Sequence, residues 1–186
     1  MNLPSFLIPS DYYGHIEVEI FNKNRNLKDI TKRQKIERIA MSEMTSYLDR
    51  LYDMKKVFQI VDKFQKSKQY QAGGQVQHQG LYFIALQAVS IREPNTASAK
   101  NYWKEDDPRS LILVSKLIDM VLYHAAVSEA INLVPELRLE RYDNAITWLK
   151  EAREGKIILD LPIPTPESEH TEPFILGSNP TYTSHY

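Results

Sequence analysis

At 186 residues the chain is one ordinary domain, or one domain with a small insertion, and it can bury a core without metal or disulfide. Its formal net charge of -1 supplies no global field for holding nucleic acid or an anionic membrane. It has no cysteine, which removes disulfides, thiolate zinc sites and cysteine nucleophiles together and suits a reducing compartment.

The N-terminal Met1-Asn2-Leu3-Pro4-Ser5-Phe6 has neither a basic start nor a long apolar run, so no signal peptide is expected. Ile16-Glu17-Val18-Glu19-Ile20 alternates as a strand does, yet five residues fit the start of a small helix equally well. Thr31-Lys32-Arg33-Gln34 has the capping-box pattern, with Thr31 as the cap. Ile36, Ile39, Ala40, Met44, Tyr47, Leu48 and Leu51 then recur at helical spacing and predict a helix from about Lys32 to Tyr52.

The stretch from Val57 to Asp106 differs in kind. Val76, the run Leu81-Tyr82-Phe83-Ile84-Ala85-Leu86 and Val89 favour strands, and Gly73-Gly74 and Gly80 punctuate them. This predicts a small antiparallel β-meander inserted into a helical protein. Asp107-Pro108 reads as a helix start, followed by an apolar run from Leu111 to Ala126. That run holds Lys116, Asp119 and His124 and is short for a membrane span, so it is expected to be a core helix, with no membrane partner. A last helix is predicted from about Pro135 to Glu154, with Leu139, Tyr142, Ile146 and Leu149 as its buried stripe and Gly155 as its C-terminal cap.

The expected fold class is therefore mainly α. A helical bundle of about three long helices, residues 1–56 and 107–161, carries the β-meander at 57–106 and ends in an extended arm at 162–186. Pro162, Pro164 and Pro166 disfavour helix in the arm. Between Pro162 and Tyr186 stand Glu167, Glu169 and Glu172 but no Lys or Arg. Such a segment is either a solvated end or an arm that orders on a partner, and Phe174, Ile175, Leu176, Tyr182 and Tyr186 are the candidate partner-binding anchors.

Few residues suggest chemistry. Gly73-Gly74 precedes a strand pattern rather than a helix with Lys-Ser/Thr, so it is not a phosphate loop. His15, His78, His124, His170 and His185 have no metal-ligand spacing on one helix. Glu105-Asp106-Asp107 and Glu136 read as charge at helix starts, and Glu140 and Asp143 follow in the opening turns of the last helix with no spacing that implies a carboxylate pair. Lys32, Arg33, Lys35 and Arg38 read as a solvated face. No catalytic residues, cofactor or metal are expected.

Two segments carry a resemblance. Glu140 to Leu159, containing Arg141-Tyr142, Ala145-Ile146, Trp148-Leu149-Lys150 and Gly155-Lys156-Ile157, resembles the C-terminal signature of a Mu-like phage protein family of unknown function. Ser46-Tyr47-Leu48-Asp49-Arg50-Leu51-Tyr52 resembles a second motif of that family, and the central apolar helix fits between them. The match covers roughly half the chain, and the long insert and longer tail depart from it. The family is similar to head-to-tail connector adaptors of tailed phages. The departures point toward a short-tailed relative such as the crAss-like group.

The resemblance implies a non-enzymatic virion neck protein, assembled in the host cytoplasm into a ring of about twelve copies. Its implied partners are the portal protein and an adjacent tail or stopper ring protein, with genomic DNA passing the lumen unread. The insert carries a second resemblance. Tyr70, Gly74, Val76, Gly80, Tyr82, Ala85, Pro94 and Tyr102-Trp103 are similar to the residue set of small chitin-binding-type β modules. This implies an alternative, a carbohydrate- or receptor-binding virion protein with Tyr82 and Trp103 as sugar contacts. The same two rings also fit the mini-core of a meander.

Overall fold

The computed structural model describes residues 5–16, 18–129 and 134–165, with residues 18 and 19 described by backbone alone. The chain opens with three short helices, α1 (Pro9–Tyr12), α2 (Val18–Lys23) and α3 (Arg25–Lys28), before the long α4 (Ile30–Leu48) and the single turn α5 (Met54–Val57). Strands β1 (Gln75–His78), β2 (Leu81–Ala85) and β3 (Trp103–Glu105) follow, then α6 (Leu111–Glu129) and α7 (Glu136–Arg153).

This corrects the expected bundle of about three long helices. Among the described residues there are seven helices, about 49% helix and 10% strand, and only three helices have seven residues or more. The other four are four to six residues long, too short to show an apolar repeat, and two of them are capped by a side chain. Asn24, for instance, accepts the N–H groups of Asn26 and Leu27 at the start of α3, and Asp53 accepts that of Lys56 in α5.

The long helices also begin and face differently from expectation. Asp29, not Thr31, caps α4 by accepting from Thr31 and Lys32, and the helix ends at Leu48 rather than near Tyr52. Asp107 does not start α6. Its carboxylate takes the N–H and guanidinium of Arg109, and the ladder opens where Val114 N–H reaches Ser110 O. On α7 the buried face is Ala145, Leu149 and Ala152, while Leu139 is exposed. Small alanines let α7 lie close against its neighbours, which rotates the stripe away from Leu139. Gly155 takes a φ of 74°, and Lys156 N–H closes on Glu151 O as a helix-ending motif requires.

Helix α6 sits between α4 and α7 and is buried on most of its circumference, from Leu113 through Ala125. By length and composition it could cross a membrane, and half of it is buried inside this fold. It runs antiparallel to α4. At one end Asn26, just before α4, donates to Ala125 O, and at the other Leu113 lines a groove with Val57. After Gly155 the chain passes back over this second end. Leu159 N–H donates to the Tyr52 hydroxyl at 3.1 Å, and Asp53 N–H donates to Pro162 O at 2.7 Å.

The strands form one antiparallel sheet in the order β1-β2-β3, with Val76 opposite Phe83 and Trp103 opposite Ala85. Two apolar clusters result. The large one joins the helices with Phe6, Tyr12 and Tyr52, and the small one comprises Tyr70, Val76, Phe83, Ala85, Val89, Ala99 and Trp103. Because the small cluster is separate, deleting residues 66–102 and joining the ends with a short flexible linker should keep the helical circular-dichroism signal. The Phe64 and Trp103 rings, 5.9 Å apart, show that the joined ends lie close. The melting temperature should fall by several degrees through the lost Tyr82 packing; loss of the helical signal would refute this division.

Candidate functional site

Three polar knots hold the molecule together, and each joins segments remote in sequence. The first is centred on Arg109, whose side chain is 4% exposed. Nη1 donates to Phe6 O at 2.8 Å and Asp11 Oδ2 at 2.7 Å, Nη2 to Asp11 Oδ1 at 2.9 Å and Asp107 Oδ2 at 2.7 Å, and Nε to Asp107 Oδ1 at 2.9 Å. The guanidinium carbon lies 4.3 Å from the Tyr82 ring centroid, a cation–π contact in a nearly dry setting. Burial alone pulls the Arg109 guanidinium down, but the hydrogen bonds to Asp107 and Asp11 outweigh it, and the group is held above its ordinary range. Burial pushes the Tyr82 hydroxyl up to about 12.

The second knot is centred on Glu37 of α4. Glu37 is 1% exposed, accepts from Tyr12 at 2.7 Å and from the Ser5 hydroxyl, and sits 3.4 Å from Arg33 Nε. Burial and then Glu37 hold the Tyr12 hydroxyl well above the usual tyrosine range. The third knot joins all three long helices. Glu43 lies 2.8 Å from His124 Nε2 and accepts from Tyr142 at 2.5 Å, while Tyr142 stacks on Tyr123 with centroids 4.0 Å apart. Burial, then the bond to Glu43, raises the Tyr142 hydroxyl. Beside this knot Arg38, Ile39, Ser42 and Ser46 line a shallow groove.

The first two knots are closed structural clusters, whereas Glu43 and His124 of the third line the groove. Glu37 and Arg109 have their valences filled by the fold, leaving no free base or donor aimed at open space. Among the described residues no three His, Asp or Glu side chains gather as metal ligands do. Asp107 belongs to the Arg109 knot, and Arg33 of the basic face turns inward to Leu27 O, Glu37 and the Phe21 ring.

Tyr82 and Trp103 are 6% and 5% exposed and lie on opposite faces of the sheet. Tyr82 packs on Arg109 and donates to Phe6 O, while Trp103 Nε1 donates to Arg92 O inside the small cluster. Neither ring offers a face to a sugar, because both are used in packing. Phe174, Ile175, Leu176, Tyr182 and Tyr186, named as partner-binding anchors, lie outside the described residues, as do His170 and His185.

The surface is more telling than the knots. Leu111 and Ile112 at the start of α6 and Ile158 and Ile163 of the returning segment are all exposed, Ile158 at 89%. Both segments line one groove through Ser110, Leu113, Leu161 and Pro162, which places these side chains at the same end of the body. At the other end, where α7 begins, Leu137 and Leu139 are exposed as well. Two unlike apolar patches therefore sit at opposite ends of the helical layer. Sequence periodicity missed them because it assigned Leu139 to the core.

No protein-family model, curated protein or solved structure matches the chain.

Proposed function

We propose that this chain is a structural, non-catalytic subunit, a head-to-tail connector (adaptor) of a tailed phage that forms a ring beneath the portal. The observation that carries this reading is the pair of unlike apolar patches at opposite ends of the body. Unlike patches suit a heterologous contact, in which one end of a copy meets the other end of the next, and such contacts close into rings when the rotation allows. The two motifs of the sequence resemblance also converge, since Leu48 and Tyr52 share a cluster with Leu149 and Ala152 and Tyr52 receives the Leu159 N–H. The motifs then serve the subunit's own fold. That leaves the patches and the arm after Thr165 for the portal, the adjacent tail or stopper ring protein and further copies, with DNA passing unread through the lumen of the virion neck.

The test is light scattering and electron microscopy of the chain with its portal. A ring of about twelve copies is expected, and Leu111→Asp or Ile158→Asp should disperse it while leaving the monomer folded. Truncation after Thr165 should leave the melting temperature within about 2 °C and weaken recovery with the portal. A cut after Asp160 is a poor comparison, because Leu161 packs on the large core and Pro162 accepts from Asp53. A chain that stays monomeric and ignores the portal overturns the reading.

A further inference from the structure

Where α7 begins, charge and hydrogen bonding are out of balance. His15, Arg138 and Arg141 gather around Asp119 of α6. Asp119 Oδ1 lies 3.3 Å from His15 Nδ1 and 3.5 Å from Arg141 Nη1. Arg138 donates Nη2 to His15 O at 3.1 Å. Its other terminal nitrogen, Nη1, is closed off from solvent and meets no acceptor. Among the described residues, two guanidinium groups thus face one carboxylate. Burial, and then the charge of Arg141, pushes the Arg138 guanidinium down. An unmet donor on a charged group is costly, and a native fold that keeps one invites an explanation outside its own atoms. The Arg141 side chain is 40% exposed, so the cluster is reachable from the surface through Arg141.

We propose that Arg138 and Arg141, seated against His15, form a carboxylate-binding site filled by Glu167, Glu169 and Glu172 of a neighbouring copy. The chemistry is complementary, since a planar guanidinium takes a carboxylate through two parallel hydrogen bonds. The segment from Pro162 onward carries three carboxylates and no Lys or Arg to compete for them. Order along the chain fits as well. The exposed Leu137 and Leu139 flank Arg138, and the acidic run leads directly to Phe174-Ile175-Leu176.

The ring arrangement, rather than reach alone, favours another copy over the chain's own tail. Pro162 is held on Asp53, at the end of the body where α7 stops. From Arg153 back to Arg138 the helix covers about 22 Å at its rise per residue. The five steps from Pro162 to Glu167 span at most about 18 Å when fully extended. A chain's own Glu167 falls short, but Glu169 and Glu172, seven and ten steps on, span up to about 25 and 36 Å, so it is the end-to-end placement of copies in a ring that brings a neighbour's tail beside this site. In that respect the proposal rests on the ring reading.

Sedimentation velocity of the full chain at low and high salt tests it. Glu167→Gln/Glu169→Gln/Glu172→Gln and Arg138→Gln/Arg141→Gln should each weaken self-association about tenfold or more, and their combination should add little further. Raising the salt should weaken the wild type and leave the variants nearly unmoved. Arg141→Gln alone, at an exposed position, covers the case in which the double variant fails to fold. Mixing an Arg138→Glu/Arg141→Glu chain with a Glu167→Lys/Glu169→Lys/Glu172→Lys chain should restore association that each lacks alone, which identifies a neighbour's tail.

Two results overturn the proposal. One is association that ignores the tail charges. The other is short duplex DNA that binds the wild type and the tail variants alike but not Arg138→Gln/Arg141→Gln, which would make the site one for phosphates. The ring reading is judged separately on particles: a chain found in necks but indifferent to its tail charges sinks the carboxylate site alone.

Discussion

Replacing Arg109 with methionine is expected to destabilise the protein by about 3–5 kcal/mol, the usual cost of removing one partner from a buried charge cluster. The guanidinium uses all five of its N–H donors on Phe6 O, Asp11 and Asp107. Methionine would fill much of the same volume against Phe6 and Tyr82, so the loss measures polar partners left unpaired rather than an empty cavity. Lysine should recover little. Its ammonium is a point charge with three donors and cannot face two carboxylates in a planar fork.

Urea unfolding of the two variants beside the wild type is the measurement. A loss below about 1 kcal/mol for Arg109→Met would mean that the knot is closer to a surface ion pair in value. The consequence reaches beyond one residue. Asp11 also accepts the Ile8 N–H at 2.8 Å, and Tyr82 belongs to the sheet, so the N-terminal segment, the insert and the start of α6 share one anchor. Local proteolysis in the variant should therefore appear first in the N-terminal segment and around residue 107.

Much of the fold could be read from the sequence, and the parts that could not share a cause. The all-round apolar character of α6 foretold its central place, and the glycine-punctuated run around Leu81–Ala85 foretold the meander. Periodicity is a local signal that needs several turns, so α1, α2, α3 and α5 gave none. One aspartate was overlooked and another misplaced for a related reason. Asp29 and Asp107 lie near helix starts, and only the tertiary structure decides that Asp29 caps α4 while Asp107 turns to Arg109. The Arg109 knot joins residues 98 and 103 positions apart, and the Glu43–His124 contact spans 81. Charged residues far apart in a chain carry no mark of their partner. The acidic set at residues 105–107 was therefore read as charge at a helix start, although one member holds a buried guanidinium. Leu139 shows the opposite error, an apolar residue at helical spacing that faces outward because Ala145, Leu149 and Ala152 make the closer contact.

Glu37 supplies the second large effect. Replacement by alanine should cost about 3–5 kcal/mol, because Arg33 and the Tyr12 hydroxyl would then face each other in a nearly dry core without the carboxylate between them. Tyr12 is fully buried, and its hydroxyl has Glu37 as its acceptor. Tyr12→Phe alone should cost about 1–2 kcal/mol, a single hydrogen bond to a charged group. The double variant should then lose less than the sum, with a coupling of about 1–3 kcal/mol, since each change removes the other's partner. Glu37→Gln should fall between the wild type and alanine: it keeps an acceptor for Tyr12 but gives up the charge facing Arg33. The double-mutant cycle, read from urea unfolding at neutral pH, distinguishes a knot from two independent contacts. Strict additivity would show that Tyr12 gains its stability from packing against Phe21, 5.3 Å away by ring centroid, and that the carboxylate serves only Arg33 and Ser5.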